Sequence, residues 1–139
     1  MTPEQIEIVR KSFDGIMPLR GQVANSFYNH LFESAPESRG LFSDDMSEQK
    51  RKFEVTLSFI VEALDRQEEL EKVATDLARK HLEYGTLPEH YALVGMSLLH
   101  ALKMNTQNGL TKKESTAWLA VYAWLSDIML KVYTDCDDF

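Results

Sequence analysis

Basic residues are in short supply: 15 Lys and Arg stand against 22 Asp and Glu, leaving a net charge of −7 over 139 residues. Such a chain meets the phosphates of nucleic acid or of an anionic bilayer with long-range repulsion, so neither is an expected partner. Cysteine is nearly missing as well. A single Cys136 excludes an internal disulfide and fits a reducing compartment, and the expected location is cytoplasmic. The longest apolar run, Trp118 to Leu125, falls far short of the roughly 20 residues that cross a bilayer. The first residues, MTPEQIEIVRKSF, carry Glu4, Glu7, Arg10 and Lys11 where a secretory signal would be uninterrupted and apolar, and they read as mature protein. Alternating apolar and polar segments bounded by turns are also lacking, as are internal repeats, low-complexity tracts and a linker. What remains is an all-α reading: one domain over 1–139, with six to eight helices and enough chain to bury a true core.

Helix starts are written four times in capping-box form, at Thr2–Gln5, Ser34–Glu37, Thr86–Glu89 and Thr111–Glu114. The first helix buries Ile6, Val9, Phe13, Ile16 and Met17 and stops at Pro18. The second spans about Gly21 to Phe32, with Val23, Phe27 and Leu31 inward and Tyr28 beside that stripe. A short helical piece then ends near Gly40 and is expected to deliver Leu41 and Phe42 into the interior. Next comes a helix with Phe53, Leu57, Ile60, Val61 and Leu64 on one face, and one turn back along that face lies Gln49. A later helix points Tyr91, Val94, Gly95, Leu98 and Leu102 inward, with Gly95 allowing close approach of another element. The last carries Trp118, Val121, Tyr122, Leu125, Ile128, Met129 and Val132.

The segment LEKVATDLARKHLEYG, residues 70–85, holds the clearest chemical signal. Leu70, Val73, Ala74, Leu77 and Ala78 recur at three- and four-residue steps, and the next member of the stripe is His81. Gly85 supplies the residue that a helix end takes in left-handed conformation, so the histidine belongs to the last turn. A ring there is either a core histidine bonded to a carbonyl or a metal ligand. Tyr28 and Gln49 bear on that choice, because buried hydroxyl and amide groups are costly without partners.

In this order and spacing the chain resembles the globin family, and within it the haem domain of flavohaemoglobins and related single-domain bacterial haemoglobins. The resemblance spans about Pro3 to Asp135. It rests on FYNHLF with Tyr28, PESRGLF ending at Phe42, Gln49 opening the next helix, ARKH ending at His81, LPEHYALVG with Tyr91 and Val94, and Trp118 and Tyr122 in the last helix.

The resemblance implies a globin fold packed around haem b, iron protoporphyrin IX, with His81 as proximal iron ligand. It further implies Tyr28 and Gln49 as distal hydrogen-bond donors to bound gas, and Phe42 packed flat on the porphyrin. Phe53, Leu57, Leu77, Val94 and Leu98 would line the pocket, while Lys52 and Lys80 would either meet the propionates or remain solvated surface cations. Two departures stand out. Related proteins set a tyrosine and a glutamate around the ligand histidine; here Tyr91 matches, but the acid is the shorter Asp135. Phe53 replaces a smaller aliphatic residue and should narrow the distal cavity. His30, His90 and His100 read as structural or surface residues.

The implied function is reversible binding of oxygen, nitric oxide and carbon monoxide, by a monomer or homodimer. The rival is nitric oxide dioxygenation, with Tyr28 and Gln49 in catalytic roles. No glycine-rich dinucleotide fingerprint occurs in the sequence, so electrons for turnover would come from a separate reductase. A third class is a gas sensor or a haem-free interaction module.

Overall fold

A computed structural model describes residues 1–137, with side chains through residue 134. Six α-helices and two 3₁₀ turns follow one another, with no strand among the described residues: α1 Pro3–Ile16, a turn Met17–Leu19, α2 Arg20–Ser34, a turn Pro36–Leu41, α3 Ser47–Glu62, α4 Gln67–Glu83, α5 His90–Met104 and α6 Lys112–Asp137. No helix among the described residues is long and apolar enough to cross a membrane.

Two of the four expected capping boxes form. At α1 the Gln5 N–H donates to Thr2 Oγ1 while the Thr2 N–H donates to Gln5 Oε1. The same reciprocal pair joins Thr111 and Glu114 before α6. The other two are corrections. Ser34 is still inside α2, and Ala35 opens the next turn without a side-chain cap. Before α5, Thr86 and Glu89 make no cap, and His90 Nδ1 accepts from the Leu87 N–H at 3.0 Å instead. In both places a competing local partner or a continuing helix takes the backbone group that the motif would have satisfied.

The core runs between α1, α2, α5 and α6. Helix α2 lies along α5, α6 packs on both α1 and α4, and α3 rests on α2. Val9, Val23, Leu64, Leu70 and Leu102 are wholly buried in it. Trp118 locks α6 to α1: its indole N–H donates to Ser12 Oγ at 3.0 Å and its ring meets Phe13 edge-on. Gly95 is needed where α5 meets α6, since a Cβ there would sit 2.7 Å from Cε2 of Tyr122. The consecutive helices α3 and α4 do not share this close packing; α4 leans on α6 and α3 on α2. That divergence separates the two helices that carry Gln49 and His81.

Candidate functional site

On one side, four aromatic rings gather around a polar pair. Tyr28 is 4 % exposed on α2, and its phenol oxygen accepts a hydrogen bond from Gln49 Nε2 of α3 at 3.0 Å. Because the amide donates, the bond leaves the phenol hydrogen free to be given elsewhere. Burial pushes the Tyr28 phenol above its ordinary pKa, with the Gln49 bond opposing the rise, so the group stays a neutral donor. The Phe27 ring meets Tyr28 edge-on and stacks on Phe53 at 4.5 Å between centroids. Phe42 meets Tyr28 at 5.6 Å and Phe32 at 5.5 Å.

The position of Phe42 has a cause that sequence reasoning missed. Arg39 donates to the carbonyls of Phe42, Ser43 and Asp44 while its guanidinium lies over the Phe32 ring. One side chain thereby holds the whole corner after the second 3₁₀ turn. Leu41 does not follow Phe42 inward, as expected from sequence, but is 37 % exposed. A 3₁₀ turn places neighbouring residues on different faces, and Phe42 takes the inner one.

On the other side, α4 ends in a complete Schellman motif. Gly85, at φ +88°, follows the helix; its N–H bonds the Leu82 carbonyl, and the Thr86 N–H bonds the carbonyl of His81 at 3.0 Å. His81 is thus fixed in the last turn, half-buried. Its Nδ1 lies 2.7 Å from the Leu77 carbonyl. A carbonyl only accepts, so Nδ1 carries the proton and, in the neutral ring, Nε2 keeps a lone pair that no group among the described residues uses.

Tyr91 lies beside this ring, 6.3 Å between centroids, yet its hydroxyl donates to Tyr133 on α6 at 3.4 Å. Tyr133 in turn donates to the Thr86 carbonyl at 2.8 Å, and Tyr122 donates to the main-chain carbonyl of Tyr91. Tyr133 and the Tyr122 hydroxyl were not foreseen as site groups. The available signal was that Tyr122, Met129 and Tyr133 share one face of the last helix at helical spacing.

The remaining candidates divide by exposure. Phe42, Phe53, Leu77, Val94 and Leu98 lean on the core but keep part of their apolar surface open, whereas Leu57 is buried. Lys80 is exposed, and Lys52 is exposed with its Nζ 3.6 Å from Glu48. The side chains of Asp135 and Cys136 lie outside the described residues. His30 stacks on His100 between α2 and α5 and bonds Ser97, away from either cluster.

With this geometry in view, comparison with known proteins decides the family. The globin family model matches residues 25–129. The chain belongs to the globin family. Among curated relatives, a flavohaemoprotein of Deinococcus radiodurans is 27 % identical over 135 residues, covering 95 % of this chain and 34 % of that protein. The globin chain thus spans about a third of the length of such relatives. Among solved structures, a bacterial globin from Campylobacter jejuni aligns with a TM-score of 0.85 at 23 % identity, covering 99 % of this chain and all of that one. A flavohaemoglobin of Malassezia yamatoensis, solved with bound FAD and haem, aligns with a TM-score of 0.76 at 19 % identity over 97 % of this chain and 37 % of its own. These likenesses in structure establish the globin fold.

Proposed function

We propose that this globin, a single domain spanning 1–139, holds haem b through His81 and binds oxygen and other diatomic gases reversibly. The observation that carries the reading is the His81 ring: its Nδ1–H is engaged by Leu77, and its Nε2 lone pair is left for a metal. The rest of the donor set fits an iron porphyrin. Half-open apolar side chains on Phe42, Phe53, Leu77, Val94 and Leu98 offer surface that a flat apolar ring system would cover, and α3 and α4 diverge where it would lie. The bound haem of the Malassezia flavohaemoglobin supports the same cofactor.

When bound, haem would supply an iron able to take up a diatomic gas. The chain's own residues do the rest. His81 anchors from the α4 side, oriented by Leu77. Tyr28 holds its phenol hydrogen ready for a gas that gains negative character, and Gln49 keeps the phenol oxygen in place. The aromatic wall around Tyr28 excludes water, which strengthens that donation. Lys52 and Lys80 are available at the surface for the acidic edge of the cofactor.

The test is reconstitution of the purified protein with hemin. An intense Soret band, and a ferrous form whose spectrum changes reversibly with oxygen, are the expected results. A preparation that stays colourless rules the reading out in favour of a haem-free module.

A second reading is nitric oxide dioxygenation with a separate reductase; the similarity to flavohaemoproteins and the Tyr28–Gln49 pair favour it. Stopped-flow mixing of the oxygenated protein with nitric oxide is expected to give ferric haem and nitrate. Absence of both would confine the protein to gas binding.

A further inference from the structure

The Tyr91 ring lies beside His81, but its hydroxyl bonds elsewhere. Tyr91 packs at 6.3 Å from the imidazole between centroids, yet its O–H turns to Tyr133 over a long 3.4 Å, while the Tyr133 O–H donates to the Thr86 carbonyl at 2.8 Å. The two phenol rings stand edge-on at 5.7 Å, and both residues are nearly buried, at 6 % and 8 % exposure. A buried hydroxyl seeks a partner, so removing the present one redirects it. Thr86 is also the residue whose N–H holds the His81 carbonyl. The chain Tyr91, Tyr133, Thr86 therefore begins beside the imidazole and ends on the backbone turn that fixes it.

We propose that Tyr133 is a positioning residue for His81: by taking the Tyr91 hydroxyl, it leaves the imidazole Nδ1–H, among the described residues, to the Leu77 carbonyl. A neutral imidazole bonded to a main-chain carbonyl donates electrons less strongly than one bonded to a charged acceptor, which suits reversible binding over activation. Once Tyr133 loses its hydroxyl, the Tyr91 phenol must find another partner, and His81 is the ring beside it. Either it competes for the carbonyl that His81 uses, or it offers its weaker acceptor oxygen to Nδ1–H. Both changes weaken the His81 bond to Leu77, so they have the same sign.

The inference concerns the electronic setting of the ligand assigned above and rests on that assignment for its role in gas binding. Its test is arranged in two arms. In the cofactor-free protein, nitrogen and proton NMR of the His81 ring, identified by its loss in His81→Gln, reports the Nδ1–H bond directly. Tyr133→Phe keeps the ring and its packing while removing one oxygen. It is expected to move the Nδ1–H resonance upfield; Tyr91→Phe and the double variant Tyr91→Phe/Tyr133→Phe are expected to stay at the original position, because no phenol is then released. In the hemin-loaded ferrous protein, resonance Raman should show a lower iron–histidine stretching frequency for Tyr133→Phe alone.

No NMR shift in a folded Tyr133→Phe overturns the proposal. A shift that persists in the double variant also overturns it, since Tyr133 would then act through packing or Thr86 rather than through the Tyr91 hydroxyl. The expected NMR pattern without an iron–histidine band would sustain the hydrogen-bond role of Tyr133 while removing the haem reading.

Discussion

The two clusters are built from different materials. Around Tyr28 the contacts are between side chains: an amide on a phenol, rings on rings. Around His81, among the described residues, most hydrogen bonds end on the main chain, with Leu77, Thr86 and Tyr91 each supplying a carbonyl. A main-chain acceptor cannot be substituted away, so the His81 side should be rigid and tolerant of mutation in its acceptors. The Tyr28 side can be retuned one residue at a time. On the proposed reading, this division would place the adjustable groups where gas affinity is set and the invariant ones where the metal is held.

The largest expected effect lies on the His81 side. His81→Ala removes the only ring nitrogen that the site offers from α4, so the variant should lose haem retention or its normal spectrum on hemin titration. Undiminished haem binding would show that the iron is held from elsewhere and dissolve the contrast between the two clusters.

Next comes the Tyr28 side. Tyr28→Phe preserves the ring contacts with Phe27, Phe42 and Phe53 and deletes one donor, worth about 1.5–3 kcal/mol when the acceptor carries charge. Oxygen dissociation measured by stopped flow should quicken roughly ten- to a hundredfold. An unchanged rate would mean that the phenol hydrogen points away from the gas.

The same difference in material explains what could be read in the sequence. Tyr28 and Gln49 are polar residues at or beside apolar stripes, and their pairing across 21 positions follows from both pointing inward. His81 and Gly85 were legible for a similar reason: the stripe placed one and helix termination the other, and the Schellman motif follows. Tyr133 was not, because its acceptor is a carbonyl and carbonyls leave no trace in a sequence. Arg39 escaped notice likewise, with three main-chain oxygens as its partners. The two capping boxes that did not form failed on local competition, Ser34 by staying helical and Thr86 by being drawn into the end of α4.

The scaffold behind His81 offers a test of its rigidity. Gly95→Ala would place a methyl 2.7 Å from the Tyr122 ring, which is tethered through its hydroxyl to Tyr91 and cannot swing freely. Overpacking of this kind costs about 1–3 kcal/mol, readable as a lower urea midpoint at unchanged slope. A neutral result would show that the α5–α6 contact yields more readily than its geometry implies.

Alkali should strain the His81 side more than the other. Burial raises the pKa values of Tyr91 and Tyr122 strongly above the ordinary 10.0, and that of Tyr28 against the opposing Gln49 bond. A raised phenol binds its proton more tightly in the folded chain. Stability is therefore unaffected below the unfolded value near 10 and falls as pH climbs above it, when the unfolded chain releases protons that the folded one retains. Denaturation midpoints taken from neutral pH to well above 10 should show this fall, and Tyr122→Phe should flatten it more than Tyr28→Phe.

The smallest effect is the most specific. Gln49→Leu fills similar space but takes away the amide that holds the phenol oxygen, a neutral hydrogen bond worth about 0.5–1.5 kcal/mol net. The Tyr28 donor remains, now less well aimed, so oxygen dissociation should quicken by less than in Tyr28→Phe. Combining the two should add little beyond Tyr28→Phe alone, because an amide that acts by orienting the phenol has nothing left to orient. Full additivity would mean that Gln49 reaches the gas independently, and the Tyr28 side would then hold two separate donors instead of one supported by a neighbour.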